Sequence, residues 1–163
     1  RDRLRSRGLG DVYKRQNLKR MADFCPQGKI YGIDISSESV KFARKEIKKL
    51  LNTRCFISQG NVMNLPYEKG TFDLITAFET VYFWGNLQKT FNEVHRVLKN
   101  GGLFLICCEA SDPSDETWTS RIDGMVVHSA QDLESCLARC GFSNITTHRR
   151  NKENICVIAH KIQ

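Results

Sequence analysis

The sequence predicts an α/β fold: a doubly wound, mostly parallel sheet with a C-terminal antiparallel hairpin. Three observations predict it. Short, nearly continuous apolar runs at 29–34, 71–78 and 103–108 read as buried parallel strands rather than alternating ones. Amphipathic helical stretches separate these runs, as right-handed crossovers between parallel strands require. Finally, 144–149 and 154–160 flank Arg150-Asn151-Lys152-Glu153, a hairpin pattern that turns the last strand antiparallel to its neighbours.

Leu18, Met21, Ala22 and Cys25 stand at i, i+3, i+4 and i+7, one face of a helix that Pro26 and Gly28 end. The strand at 29–34, with Ile30, Tyr31 and Ile33 around Gly32, is apolar on both faces and stops on Asp34. A helix over 37–51 follows. Val40, Ala43, Ile47, Leu50 and Leu51 form its inner stripe, and Lys41, Arg44, Lys45, Lys48 and Lys49 its solvated face. Cys55, Phe56 and Ile57 mark a second strand over 54–59, and 64–70 is a loop of turn residues. After the strand at 71–78, a helix over 86–98 aligns Leu87, Phe91, Val94 and Leu98. Its expected stop is Lys99-Asn100-Gly101-Gly102, a basic residue followed by a left-handed glycine cap. The stretch 111–128 is polar and irregular, with room for a short helix near Trp118. A helix over 130–140 then presents Leu133, Cys136, Leu137 and Cys140.

Of the 163 residues, 1–16 (RDRLRSRGLGDVYKRQ) read as a non-native or disordered basic segment, and 17–163 as one domain. The net charge of +7 invites a nucleic-acid reading until it is located. Arg1, Arg3, Arg5, Arg7, Lys14 and Arg15 against Asp2 and Asp11 leave only +3 for the body, so nucleic acid is not expected as a partner. No apolar run approaches the ~20 residues that span a bilayer, so no membrane partner is expected. Seven cysteines, odd in number and mostly on apolar faces, suit the reducing cytoplasm. Cys136 and Cys140 are i,i+4 but lack further Cys or His partners, so no metal is expected.

Three strand ends share the edge where open α/β sheets place ligands: Asp34, Gly60-Asn61-Val62 and Ala77-Phe78-Glu79. A carboxylate at such an edge can accept both hydroxyls of a ribose, each charge-assisted bond contributing about 1.5–3 kcal/mol away from water. Asp34 can also cap the next helix, a task for which Ser36 and Ser37 are better placed. With IYGIDIS, GNVMNLPYEKGTFDLITAFE and HRVLKNGGLF in this order, residues 17–161 resemble the class I S-adenosylmethionine-dependent methyltransferases, specifically the small ubiquinone-biosynthesis-like group.

The resemblance implies a Rossmann-like sheet, S-adenosyl-L-methionine as cofactor and methyl transfer to a small-molecule acceptor. It further implies that Asp34 holds the ribose hydroxyls and that Ile35 packs beside the adenine. Asn61, where the family usually carries Asp, would reach the adenine amino group through its amide oxygen, and the Val62 N–H would face a ring nitrogen. Phe78, in the turn 77–79, would lie under the methionine end. Tyr82, Phe83 and Trp84 then stand near the sulfonium or the acceptor, or pack on helix 86–98, Phe83 foremost in that second role. Where the acceptor must lose a proton, Glu79 and His128 are the candidate bases. Asp123, Gly124, Met125 and His128 share an irregular stretch able to cover the acceptor.

The resemblance also implies a first strand and a glycine-rich loop ahead of residue 17, and neither is expected within residues 1–16. Gly8 and Gly10 stand too early and follow no apolar run. Loss of a mid-sheet strand would strip its two neighbours of backbone partners, so poor folding and weak cofactor binding are expected of the chain as written. The alternatives carried forward are a catalytically dead fragment of such an enzyme and a nicotinamide-dependent oxidoreductase, which would share the ribose carboxylate.

Overall fold

The computed structural model describes residue 18 and residues 20–162. The segment 1–16, on which the reading of a non-native or disordered arm and of the first strand and glycine-rich loop falls, lies outside the described residues. The chain divides into two compact units, one ending at Val62 and the other beginning at Met63.

In the first unit, residues 20–24 are helical, followed by strand β1 (Ile30–Asp34), helix α1 (Ser37–Glu46) and strand β2 (Cys55–Gln59). The strands run parallel, Ile30 opposite Cys55 and Asp34 opposite Gln59. Ala22, Ile30, Val40, Ile47, Cys55 and Ile57 form the buried core, with Leu18, Met21, Ala43, Leu50 and Leu51 packed against it. The expected inner stripe is therefore the one observed. The helix itself is shorter than expected. It stops at Glu46, and the chain continues in turns through Asn52, whose φ of 59° lies in the left-handed region. The carbonyl of Leu50 collects the N–H groups of Arg54 and Cys55 and delivers the chain into β2.

Two expectations change here. β1 is buried on one face only: Tyr31 is 39% exposed and stacks on Phe56 of β2, centroids 5.0 Å apart. Arg44 is not simply solvated either. Its Nε and Nη2 donate to the Ile57 carbonyl at 2.9 and 2.6 Å, fixing α1 to β2. Arg54 does the same for the preceding helical turn, donating to the carbonyls of Ala22 (2.9 Å) and Cys25 (2.6 Å). A guanidinium suits both tasks because its fork supplies several donors at fixed angles.

The second unit contains β3 (Phe72–Phe78), a 3₁₀ turn (Val81–Phe83), α2 (Leu87–Val97), β4 (Leu98–Cys108), α3 (Ala130–Arg139), β5 (Ser143–Arg149) and β6 (Ile155–His160). The strand order is β3-β4-β6-β5. β3 and β4 are parallel, while β6 is antiparallel to both β4 and β5, giving the expected closing hairpin. Phe104, Ile106 and Cys108 of β4 and Ile155, Val157 and Ala159 of β6 are buried, as are Phe91, Val94 and Val97 of α2 and Leu133 and Leu137 of α3. Asn86 and Ser129 cap the two helices as their residue types predict, Ser129 in a full capping box with Asp132.

The expected glycine cap on α2 is not there. The helix stops at Val97, and Leu98 already has extended backbone. Lys161, 5% exposed, supplies the cap: its Nζ donates to the carbonyls of His95 (2.7 Å) and Leu98 (2.8 Å). An ammonium at a helix C-terminus meets both the unpaired carbonyls and the negative end of the dipole. Gly101 (φ 80°) instead makes a β-bulge. Its N–H donates to the Lys161 carbonyl at 2.7 Å, and the Lys161 N–H donates to the Gly102 carbonyl at 2.9 Å, so two residues of β4 face the one residue just past β6. No helix forms within 111–128. Asp112 and Asp115 accept from the N–H groups of Ser114 and Thr117, the local turns that compete with helix. No helix among the described residues is long and apolar enough to cross a membrane.

Candidate functional site

In the first unit, four of the expected residues follow the carboxyl ends of two paired strands: Asp34 and Ile35 at β1, Asn61 and Val62 just past β2. Asp34 ends β1 half-buried, and its Oδ1 accepts the Ser36 N–H at 2.9 Å, while Ser36 Oγ caps α1 by accepting from Ser39. Capping therefore falls to Ser36, and the Asp34 carboxylate is oriented by the turn at the strand's carboxyl end. The Gly60 N–H donates to the Asp34 carbonyl at 3.0 Å, and Gln59 Nε2 donates to the Ile35 carbonyl at 3.0 Å. These bonds carry the parallel pairing past the strand ends and place Asn61 and Val62 next after Asp34's partner. Ile35 is 71% exposed, an apolar side chain standing in the open beside a carboxylate. A carboxylate at a strand end, an exposed aliphatic face beside it and an amide residue in the turn after the neighbouring strand are group types that fit a nucleoside: hydroxyls to the first, a flat ring on the second, a base edge to the third.

In the second unit, β3 ends at Phe78 and the backbone then turns sharply. Glu79 has φ of 53°, which costs a residue with a Cβ about 1–2 kcal/mol and is concentrated at working sites. Its N–H donates to the Cys107 carbonyl at 3.0 Å. Tyr82, 4% exposed, donates its hydroxyl to Glu79 Oε2 at 2.9 Å and accepts the Ala110 N–H at 3.0 Å. Burial pushes the Glu79 carboxyl up to about 7, with the Tyr82 hydrogen bond opposing and the Glu109 charge adding to the rise. Burial also raises the Tyr82 hydroxyl far above its ordinary value, so it stays a donor. Glu79 thus exchanges a proton near neutrality from a fixed position.

His128 is not joined to this network. Its Nε2 is buried with no hydrogen-bond partner among the described residues, and burial lowers its pKa against the opposing charge of Asp132. Gly124 takes φ of 73°, Met125 donates its N–H to Ile122 (3.3 Å), and the Val126 N–H donates to the Tyr82 carbonyl (3.0 Å). The stretch holding Asp123 and His128 is therefore tied to the 3₁₀ turn. Phe83 is 48% exposed and lies edge-on to Tyr82. Trp84 meets α2, edge-on to Phe91 and parallel to Phe104 of β4. The Glu79–Tyr82 pair is what sequence reasoning missed. Its signal was a carboxylate and a phenol three residues apart immediately after an apolar strand.

An open depression along α2, lined by Asn86, Lys89, Asn92, Glu93 and Arg96, contains none of the expected residues. Its Glu93 and Arg96 are already spent on the backbone of Leu65 and Tyr67. No group of three or more metal-ligating side chains occurs among the described residues.

A family model described as a methyltransferase domain matches residues 16–154. The demethylmenaquinone methyltransferase of Symbiobacterium thermophilum is 35% identical over 111 residues, which is 65% of this chain and 41% of that protein. The chain spans between about a third and a half of the length of the curated relatives it matches. Among solved structures, the methyltransferase bound to the Trm112 activator of Haloferax volcanii superposes with TM-score 0.76 at 18% identity, covering 96% of this chain and 80% of that one. The geranyl diphosphate C-methyltransferase of Streptomyces coelicolor A3(2), solved with S-adenosyl-L-homocysteine, gives 0.74 at 16% identity, over 91% and 68%. At these identities the structural likeness speaks for the fold, which is the doubly wound one expected. The family match carries the rest: the chain belongs to the methyltransferase-domain family, among the class I S-adenosylmethionine-dependent methyltransferases.

Proposed function

We propose that the chain transfers a methyl group from S-adenosylmethionine to a small-molecule acceptor in the cytoplasm. The observation that supports this reading is the end of β1, where the Asp34 carboxylate stands beside exposed Ile35 and the Asp34 carbonyl accepts the Gly60 N–H, directly before Asn61 and Val62. Asp34 would hold the ribose, Ile35 and Asn61 the adenine face and edge, and Val62 a ring nitrogen through its N–H. When bound, the cofactor supplies a methyl group on a sulfonium, already activated. The protein's part is alignment and exclusion of water, and orientation alone can contribute about 7–11 kcal/mol. Where the acceptor carries a proton that must leave, Glu79 accepts it, since a carboxyl near 7 balances availability and basicity at neutral pH. Tyr82 keeps that carboxylate aimed. The relatives named for demethylmenaquinone and geranyl diphosphate support a small-molecule acceptor, and seven free thiols suit a reducing compartment.

Ligand-observed NMR titration of residues 1–163 with S-adenosylhomocysteine tests the reading, with a nicotinamide dinucleotide as comparison. The affinity is expected to be weak, and to fall a further 10- to 100-fold in Asp34→Ala, the loss of one or two charge-assisted bonds of about 1.5–3 kcal/mol each. Equal affinity in the variant, or preference for the nicotinamide dinucleotide, would overturn it.

A further inference from the structure

We propose that Cys107 and Cys156 form a dithiol modification site that a low-molecular-weight disulfide, of the oxidised-glutathione class, converts to an intrachain disulfide. The two residues stand directly opposite one another on the antiparallel strands β4 and β6, and their sulfurs lie 3.4 Å apart. The bulge at Gly101 fixes which kind of pair this is. The Lys161 N–H bonds to Gly102, so the ladder's hydrogen-bonded positions on β4 are the even ones, and Cys107 faces Cys156 in a non-hydrogen-bonded pair. Such pairs bring Cα atoms to about 4.5 Å, closer than the alternating kind and within the span a disulfide bridges.

Accessibility separates this pair from the other thiols. Cys55, Cys108, Cys136 and Cys140 are buried, and Cys25 is exposed but has no sulfur partner, whereas Cys107 and Cys156 are half-buried together. They belong to the less covered face of the sheet; Cys108, next in sequence, points to the other. The chemistry balances with the named oxidant. One thiolate attacks a sulfur of R–S–S–R and expels RS⁻, leaving a protein–SR mixed disulfide. The second thiolate displaces the remaining RS⁻ as the Sγ–Sγ bond forms. The protein loses two electrons and two protons, and the oxidant leaves as two RSH. Burial raises the Cys107 thiol, so reaction is slow at neutral pH and quickens with alkalinity. The Cys107 carbonyl also accepts the Glu79 N–H, so the new bond pins the strand end that holds Glu79.

The test is mass spectrometry of the native full chain after incubation with oxidised glutathione at mildly alkaline pH, quenching with an alkylating agent and peptide mapping. A linked pair of peptides carrying Cys107 and Cys156, lighter by two hydrogens, is expected, and Cys108→Ser should retain it. Cys156→Ser should lose the link and leave glutathione on Cys107. Repeating the oxidation in urea covers the case of a variant that does not fold, because the link should then give way to mixed pairings. Recovery of both thiols alkylated once Cys25 has reacted, a link from Cys108 instead, or the same pairing in urea as in the native chain would overturn the proposal.

Discussion

The two units hold their backbones by different means. Among the described residues, the first has a two-stranded parallel ladder, a kind of sheet that is marginal alone, and six buried apolar residues. Half-exposed arginines complete it from outside: Arg44 grips β2 at Ile57, and Arg54 grips the turn at Ala22 and Cys25. The second has four strands and a ring-packed interior in which Phe104 touches Phe91, Phe142 and Trp84, and even its helix cap, Lys161, is buried. The difference shows where strain can be kept. Glu79, with its left-handed backbone and raised carboxyl, belongs to the unit whose packing can bear that cost. Asp34 ends an ordinary strand and relies on a local turn.

The largest way to break this contrast is at Phe104. Phe104→Ala removes a fully buried ring with three aromatic neighbours and should cost the second unit about 3–5 kcal/mol. Urea unfolding followed by tryptophan fluorescence, to which Trp84 contributes from its place against Phe104, measures it. A loss under about 1 kcal/mol would mean that the aromatic interior is not what holds this unit.

Glu79→Gln sharpens the contrast by removing the charge while keeping an acceptor for Tyr82. The carboxyl titrates at about 7 in the fold and near 4.5 when unfolded, so between these values the native state binds more protons than the unfolded one. Its contribution is thus fully present below about 4.5 and is lost as pH rises through 7. The variant should be more stable than the parent above pH 7, by about 1–3 kcal/mol after allowance for partial solvation, with the gain vanishing toward pH 4.5. Unfolding at a series of pH values reads this directly, and a gain independent of pH would place the strain in the backbone rather than the charge.

Much of the fold was legible because apolar period and turn chemistry act locally. The strands at 30, 55 and 72, the part of β4 from Leu103 on, the helices at 37, 87 and 130, and the final hairpin all follow from residues within one element of each other. What was hidden depends on distant partners. Gly101 reads as a helix cap until Lys161, sixty residues later, takes that position and leaves the glycine to a bulge. Arg44 reads as solvated until β2 offers a carbonyl. Phe83 and Trp84 are equally apolar in sequence, and only the direction of the 3₁₀ turn decides that Trp84 goes inward. The place of Asp34 at the carboxyl end of β1 was legible from the apolar run that precedes it. The Glu79–Tyr82 bond was not, because it needs the left-handed turn that no residue type there announces.

The smallest effect separates the units at their edges. Arg54 donates to the carbonyls of Ala22 and Cys25 at the end of a helical turn, the second shared with the Gly28 N–H, so its loss should be felt locally rather than globally. Arg54→Met keeps the aliphatic stem and removes the fork. Because one of these bonds is exposed, water recovers part of what is lost, and about 0.5–1.5 kcal/mol is expected. Hydrogen exchange resolves a change of that size. The amides of Cys25 and Gly28, bonded to Met21 and Cys25, should exchange on the order of 2- to 10-fold faster, while those of β4 and β6 keep their rates. Equal acceleration in both units would mean that one cooperative structure opens as a whole, and the distinction between a clamped unit and a packed one would fall.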